Sequence, residues 1–396
     1  MKRILFFMLL LPAGFFTCRA GAGPGTHAWF TRVATFRKAD ILREASWAMR
    51  QKPVTITSTV ATRSAGGRHD FYSEGDYWWP NPKDPDGPYI RRDGETNPEN
   101  FIAHREAMIR FSTIVGDLAA AYLLTHERKY VDQALKHIYA WFRDTATMMN
   151  PNLRYAQAIH GITTGRGIGI IDTIHLMEVA QAIYLFEQAG LIPPRGLAAI
   201  KSWFGDYIHW LMTSKNGQDE MNAKNNHGTC WDMQVASFAK VTGDTSVLNF
   251  CRERYQKVLL PDQMAANGSF PLEEARTKPY GYSLFNLDAM TTICQILSDK
   301  THDLWHYTTP DGRNIAGAIG YMYPYVKDKG SWPKPPDVMY WKYWPVAQPF
   351  LVFGAAAFDN DQYYALWKSL DHDPTEGEII RNLPVRHPLI WMWPNR

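Results

Sequence analysis

The sequence predicts an all-α fold: an incomplete (α/α) toroid, or barrel, of helical hairpins carrying long loops. Three observations lead there. Strand-like alternation is scarce, while helical periodicity recurs along most of the chain. The helical stretches come in pairs joined by short polar turns. A faint repeat also appears: AAAYLLTHERKYVDQALKHI and VASFAKVTGDTSVLNFCRERY both read as helix, Thr-containing turn, helix. A hairpin cannot bury its apolar face alone, so such units stack into a solenoid or close into a ring. The degenerate repeat disfavours a regular solenoid.

The elements follow in order. Residues 101–124 read as a long amphipathic helix and 128–145 as its partner. Residues 172–189 and 194–213 form the next pair, with Pro193 and Pro194 marking the second start. Then come 229–241, with Thr229 as N-cap, and 245–258; 283–299 and 312–326; and 345–357 and 360–370. Stretches 72–100, 151–169 and 264–282 break this rhythm and are rich in Gly, Pro, Asn, Arg and Tyr. Connections of that length usually do something, and loops on one face of a helical ring carry the chemistry. No stretch reads as an interdomain linker, the nearest being SWPKPPD at 331–337, so residues 21–396 are expected to form one domain.

The chain starts with a basic pair, Lys2 and Arg3, then an apolar run from Ile4 to Leu11, which is the layout of a secretory signal over 1–20. The expectation is a secreted or periplasmic protein. A lipid anchor at Cys18 is the alternative, with a poor lipobox in Phe16 and Thr17. No later stretch is expected to span a membrane, and a monomer is favoured. Without Lys2, Arg3 and Arg19, the 42 basic residues fall to 39, equal to the 39 acidic ones. Bulk charge therefore does not point to nucleic acid. A polyanion would need a local basic site. Cys230, Cys251 and Cys294 make no disulfide framework; they read as one bridge at most or as three buried thiols. Fifteen Trp exceed ordinary packing needs and suit a cleft that stacks sugar rings, although many belong in the core.

Four strings can carry chemistry. KNNHGTCWDMQ (224–234) sets Asn225, Asn226 and His227 just before a helix, offering donors, acceptors and a titratable ring together. A capping cluster is the plainer alternative. EEARTKPYGYSLFNLDAM (273–290) sets Arg276 six residues before Tyr282. Arginine grips a carboxylate bidentately, and a tyrosine beside a cation can move protons. DYWWPNPKDPDGPYIRRDGETNPE (76–99) offers Trp78, Trp79, Arg91 and Arg92, a mixture suited to an anionic sugar chain. PNLRYAQAIHGITTGRGIGIIDT (151–173) adds Arg154, Gln157, Arg166 and His160, the last read as an ordinary satisfied histidine. Its GRGIG segment is no phosphate loop, because no Gly-Lys-Ser/Thr follows. Metal-ligand spacing is missing, so neither metal nor cofactor is expected.

The strings YWWPNPKDPDGPYIRRDGETNPE, NNHGTCWDMQVASFA and R-T-x-x-x-x-Y-S-x-F-N-L-D-A-M resemble, in the same order, the alginate lyase superfamily of α/α-toroid polysaccharide lyases. The resemblance is nearer to polysaccharide lyase family thirty-eight than to family five. It implies an enzyme that cuts a uronic-acid polymer by β-elimination. It also implies Asn226, His227, Arg276 and Tyr282 as the catalytic set. Trp78, Trp79, Arg91, Arg92, Arg154, Gln157, Arg166, Asn225 and Tyr280 are the expected substrate contacts. Tyr282, rather than Tyr280, matches the catalytic position because it directly precedes S-x-F-N. Residues 300–396 match no motif, which leaves Trp341 and Tyr343 open.

Two other classes share parts of this pattern. A toroidal glycoside hydrolase needs two carboxylates across the cleft, for which Asp76, Glu95, Glu273 and Glu274 are candidates. A surface glycan-binding protein would share the aromatics and arginines without turnover.

Overall fold

The described residues include sixteen α-helices and only four short strands. The structure is a computed structural model and describes residues 24–393; the leader expected over 1–20, with Cys18, lies outside them. The helices are α1 (Pro24–Ala48), α2 (Ala103–Thr125), α3 (Arg128–Phe142), α4 (Leu176–Gln188), α5 (Pro194–Thr213), α6 (Lys215–Met221), α7 (Asn226–Thr242) and α8 (Thr245–Arg254). They continue as α9 (Leu260–Gln263), α10 (Pro271–Glu274), α11 (Pro279–Leu297), α12 (Ile315–Lys327), α13 (Pro349–Phe358), α14 (Asp361–Ser369), α15 (Gly377–Arg381) and α16 (Pro388–Trp391).

The helices form two rows. Helices α2, α4, α7, α11 and α13 pack side by side in that order, while α3, α5, α8, α12 and α14 lie against them from outside. This is the expected incomplete α/α toroid. The inner helices are covered on all sides, so they carry apolar residues all round rather than in one stripe. In α11 every residue except Gln295 is buried. Trp231 and Phe238 of α7, Leu287 of α11 and Phe350 of α13 belong to one continuous apolar core. Cys230, Cys251 and Cys294 are free, buried thiols within it.

Several boundaries differ from the sequence expectation, three of them with a clear physical reason. Helix α7 starts at Asn226, with Asn225 at the N-cap position, and Thr229 lies inside the helix, donating to Gln263. Helix α11 starts at Pro279 instead of 283, since proline is pre-organised for the first helical position. The helix expected over 245–258 is α-helical only to Arg254 and passes through a π-helical turn, Tyr255–Leu259, into α9. Pro261 has no N–H to return to the carbonyl four residues back, which favours that irregularity.

The loops at 72–100 and 151–169 are tied together. Strand β1 (Tyr72–Glu74) pairs in parallel with β4 (Tyr155–Ala158), and β2 (Trp78–Trp79) pairs antiparallel with β3 (Ile90–Arg91). Asn97 and Asn100 donate their side-chain amides to the carbonyls of Trp78 and Gly75, at 2.9 and 3.0 Å. These bonds replace ladder partners that such short strands lack.

Candidate active site

The first turns of α7 and α11 and the tied loops line one cleft of about 440 Å³, within the usual range for ligand pockets. Two inner helices thus present N-terminal ends to it, where the helix dipole favours an anion.

Each key side chain has a fixed partner. The Asn226 backbone N–H and side-chain Nδ2 donate to the two oxygens of Glu273 on α10, at 2.6 and 2.7 Å. His227 Nδ1 lies 2.8 Å from Oε1 of Glu220 on α6, so Nε2 is the ring nitrogen left for the cleft. Burial raises the carboxyl pKa of both glutamates, against the pull of His227 on Glu220 and of Asn226 on Glu273.

Arg276 forms a two-pronged pair with Asp93, at 2.9 and 3.2 Å. Burial alone would raise the Asp93 carboxyl, but the bonds and charges of Arg276 and Arg91 together outweigh it and hold the pKa at about 2. Gly94, at φ +80, lets the chain turn here; a Cβ would sit 2.4 Å from Thr277 Oγ1. Arg276 also donates to the Tyr282 hydroxyl at 3.2 Å, and its guanidinium lies 4.3 Å above that ring. The Tyr282 hydroxyl donates to Tyr77 Oη at 2.8 Å. Burial first, and then Tyr77, push the Tyr282 hydroxyl well above its ordinary pKa, with Arg276 pulling the other way. Tyr282 therefore stays a neutral hydroxyl across the ordinary pH range.

A buried charge chain backs this face. Arg105 of α2 and Arg381 of α15 both grip Asp76, at 2.7 and 2.8 Å, and Glu378 pairs with Lys278. Burial opposes ionisation of Asp76, yet the two arginines hold it at about 2.

The structure brings Trp78, Arg91, Gln157, Arg166, Asn225, Asn226, His227, Arg276 and Tyr282 to the cleft. Arg166 donates to Gln157 Oε1 at 2.9 Å and lies over Trp78. Four expected contacts lie elsewhere. Trp79 donates to the Glu95 carbonyl, with Arg92 stacked on its ring. Arg154 borders a separate open hollow beside Trp210. Tyr280 is fully buried, donating to the Tyr325 carbonyl between Trp332 and Trp341. Its ring packs into the core because it stands two residues before Tyr282, on another side of the same helix. His160 faces Tyr89 in a further hollow.

Tyr77, Asp93, Glu220 and Arg381 were not singled out as site residues from sequence. The Asp93-Gly94 turn was the one signal available for Asp93. The other three depend on tertiary placement. The carboxylates considered for hydrolysis do not form an acid–base pair. Asp76 is locked between arginines, Glu273 lies beneath Asn226, Glu274 pairs with Tyr321 and Lys334, and Glu95 is exposed. Among the described residues, one group could gather round a metal ion: Glu44, Asp117 and His387, away from the cleft.

A family model described as alginate lyase matches residues 55–332. The chain belongs to the alginate lyase family. It is similar to an alginate lyase from Bacteroides ovatus, with 30% identity over 95% of this chain and 99% of that one, and a TM-score of 0.78. Alginate lyase A1-III from Sphingomonas species A1 is 18% identical over 87% of this chain and 92% of that one, with a TM-score of 0.54, and shares the fold. No curated protein sequence matches significantly. Membership of the alginate lyase family makes the chain a lyase-type enzyme. The family match spans the Asn226–His227 and Arg276–Tyr282 strings and ends before Arg381.

Proposed function

We propose that the cleft binds one uronate of an anionic polysaccharide and cleaves its C4–O4 bond by β-elimination. Alginate with mannuronate-type linkages is the favoured polymer, and glucuronan is the other candidate. The observation that carries the proposal is the convergence of Asn226, His227, Arg276 and Tyr282 on one cleft, with the Tyr282 hydroxyl held between Arg276 and Tyr77. Its three loop motifs support a reading nearer polysaccharide lyase family thirty-eight than family five.

The chemistry has three demands. The C5 proton must leave, the charge building on the adjacent carboxylate must be stabilised, and O4 must be protonated as it departs. Pre-organised donors aimed at the carboxylate meet the second demand. Asn226 and His227, at the N-terminal end of α7, are suited to that role, with Arg276 adding positive charge. A neutral Tyr282 hydroxyl suits the third. In β-D-mannuronate and β-D-glucuronate, H5 and O4 share one face of the ring, so one tyrosine can serve both proton transfers. A free tyrosine has a pKa of about 10, so to act as base Tyr282 must first lose its proton to solvent, which alkaline pH and the positive charge of Arg276 favour. For α-L-guluronate the two groups lie on opposite faces, and His227 Nε2 becomes the base.

The test is a panel of polymannuronate, polyguluronate, glucuronan and polygalacturonate, read by the ultraviolet absorbance of the unsaturated uronate. Absorbance should grow on polymannuronate or glucuronan. No growth on any of the four would refute the proposal.

A further inference from the structure

Glu273 is 1% exposed, and both of its oxygens face Asn226. Among the described residues no lysine or arginine forms an ion pair with it. The charged and titratable groups that bear on it are Arg276 three residues on, His227 and the Cys230 thiol of α7, and beyond that thiol Glu220 of α6. A fixed negative charge one amide away from an incoming uronate would oppose its binding. The two Asn226 N–H donors and the nearby Arg276 and His227 favour its ionised form, and burial without an ion-pair partner opposes it. Burial does raise its pKa.

The two ends of a carboxamide have nearly the same shape but opposite hydrogen-bonding sense. An ionised carboxylate only accepts, so it draws Nδ2 of Asn226 towards itself and turns Oδ1, an acceptor, away. A carboxylic acid has one O–H to donate. Its other oxygen can still accept the Asn226 backbone N–H.

We propose that Glu273 is the positioning residue for Asn226 and works as a carboxylic acid, with the Asn226 amide turned end for end from the Nδ2–Oε2 contact described above, so that Oε2–H donates to Oδ1 and Nδ2, with both hydrogens, faces the substrate carboxylate. This rests on reading the cleft as a uronate site. The protonation of Glu273 thereby selects whether Asn226 offers the cleft a donor pair or an acceptor.

Glu273→Gln and Glu273→Leu separate the two states. Glutamine has the shape and donor–acceptor pattern of the neutral acid: its Nε2 donates to Oδ1 and its Oε1 accepts the backbone N–H. Expected is kcat within about threefold of wild type for E273Q at neutral pH, and a loss of about a hundredfold for E273L. Wild-type activity should fall as pH rises through the Glu273 value, whereas E273Q lacks that ionisation. The ratio of E273Q to wild-type kcat should therefore climb with pH. A merely structural role would not move this ratio. If E273L fails to fold, the E273Q ratio still decides. An E273Q variant that melts like wild type but loses a hundredfold at every pH would overturn the proposal, as would a ratio that is flat or falls.

If the wild type turns over no uronate polymer, the lyase reading fails separately. The infrared difference between wild type and E273Q at neutral pH then tests Glu273. A carboxylic-acid carbonyl band is expected in the wild type and missing from the variant. A carboxylate band in its place would overturn the assignment.

Discussion

Tyr282 and Tyr280 sit two residues apart in one helical turn and have different fates. Tyr282 reaches the cleft and Arg276; Tyr280 is sealed beneath Trp332 and Trp341. If the hydroxyl moves protons as proposed, and since it is not needed for packing, Tyr282→Phe should lower kcat by about 10²–10⁴-fold while leaving the melting temperature nearly unchanged. Tyr280→Phe is the control; loss confined to Tyr280→Phe would reverse the assignment. His227→Gln keeps hydrogen bonding and loses basicity. Its activity on polymannuronate should fall but persist, while any activity on polyguluronate should vanish. Equal losses on both, in a folded variant, would remove the base role. That Asn226, His227, Arg276 and Tyr282 would meet at one cleft was legible in the sequence from the motif strings and the family they resemble. Glu220 and Glu273 were not legible as partners. What defines them is burial and aim, and neither has a local signature.

Helix starts are where local reading and tertiary structure part company. Thr229 has a good capping side chain, yet α7 begins earlier because the Glu273 carboxyl takes the Asn226 N–H. Helix α11 begins at Pro279, where Asp337 accepts the Tyr280 and Gly281 N–H groups at 2.9 Å. In both cases a residue distant in sequence does the capping, and both shifts carry site residues into helices. At the same scale, Arg105 of α2 lies between Asp76 and Asp172, at 2.7 and 3.5 Å. Arg105→Met would leave buried carboxylates without that partner and should cost about 3–5 kcal/mol in urea unfolding. It should also reduce kcat, because Asp76 holds Arg381 at the cleft. A loss below about 1 kcal/mol would mean that Arg381 alone suffices for Asp76.

At the scale of the molecule, periodicity revealed the two helical rows but not how the chain closes on itself. Helix α1 passed unnoticed because its apolar residues are scattered; it is held by packing on α2 and α13. The tail after residue 375, which carries no motif, returns to deliver Arg381 and Asn382 to the cleft. Glu178 pins that tail by accepting the Arg386 and His387 N–H groups at 2.9 and 2.7 Å, and His387 Nε2 lies 2.7 Å from Asp117. Burial alone would push the His387 imidazolium pKa down, but the bond and charge of Asp117 outweigh it and raise it above the ordinary value. The stabilisation from this pair is therefore full below the unfolded histidine value, about 6.5, and is lost as pH rises through the folded one. The difference in melting temperature between wild type and His387→Gln should be largest in mild acid and shrink towards alkaline pH. A difference that grows with pH would contradict this. Elimination and hydrolysis at the cleft are told apart by product mass after digesting a purified uronate oligosaccharide in oxygen-18 water. Elimination predicts an unsaturated end on each cut and no label incorporated. A labelled, saturated product would contradict it.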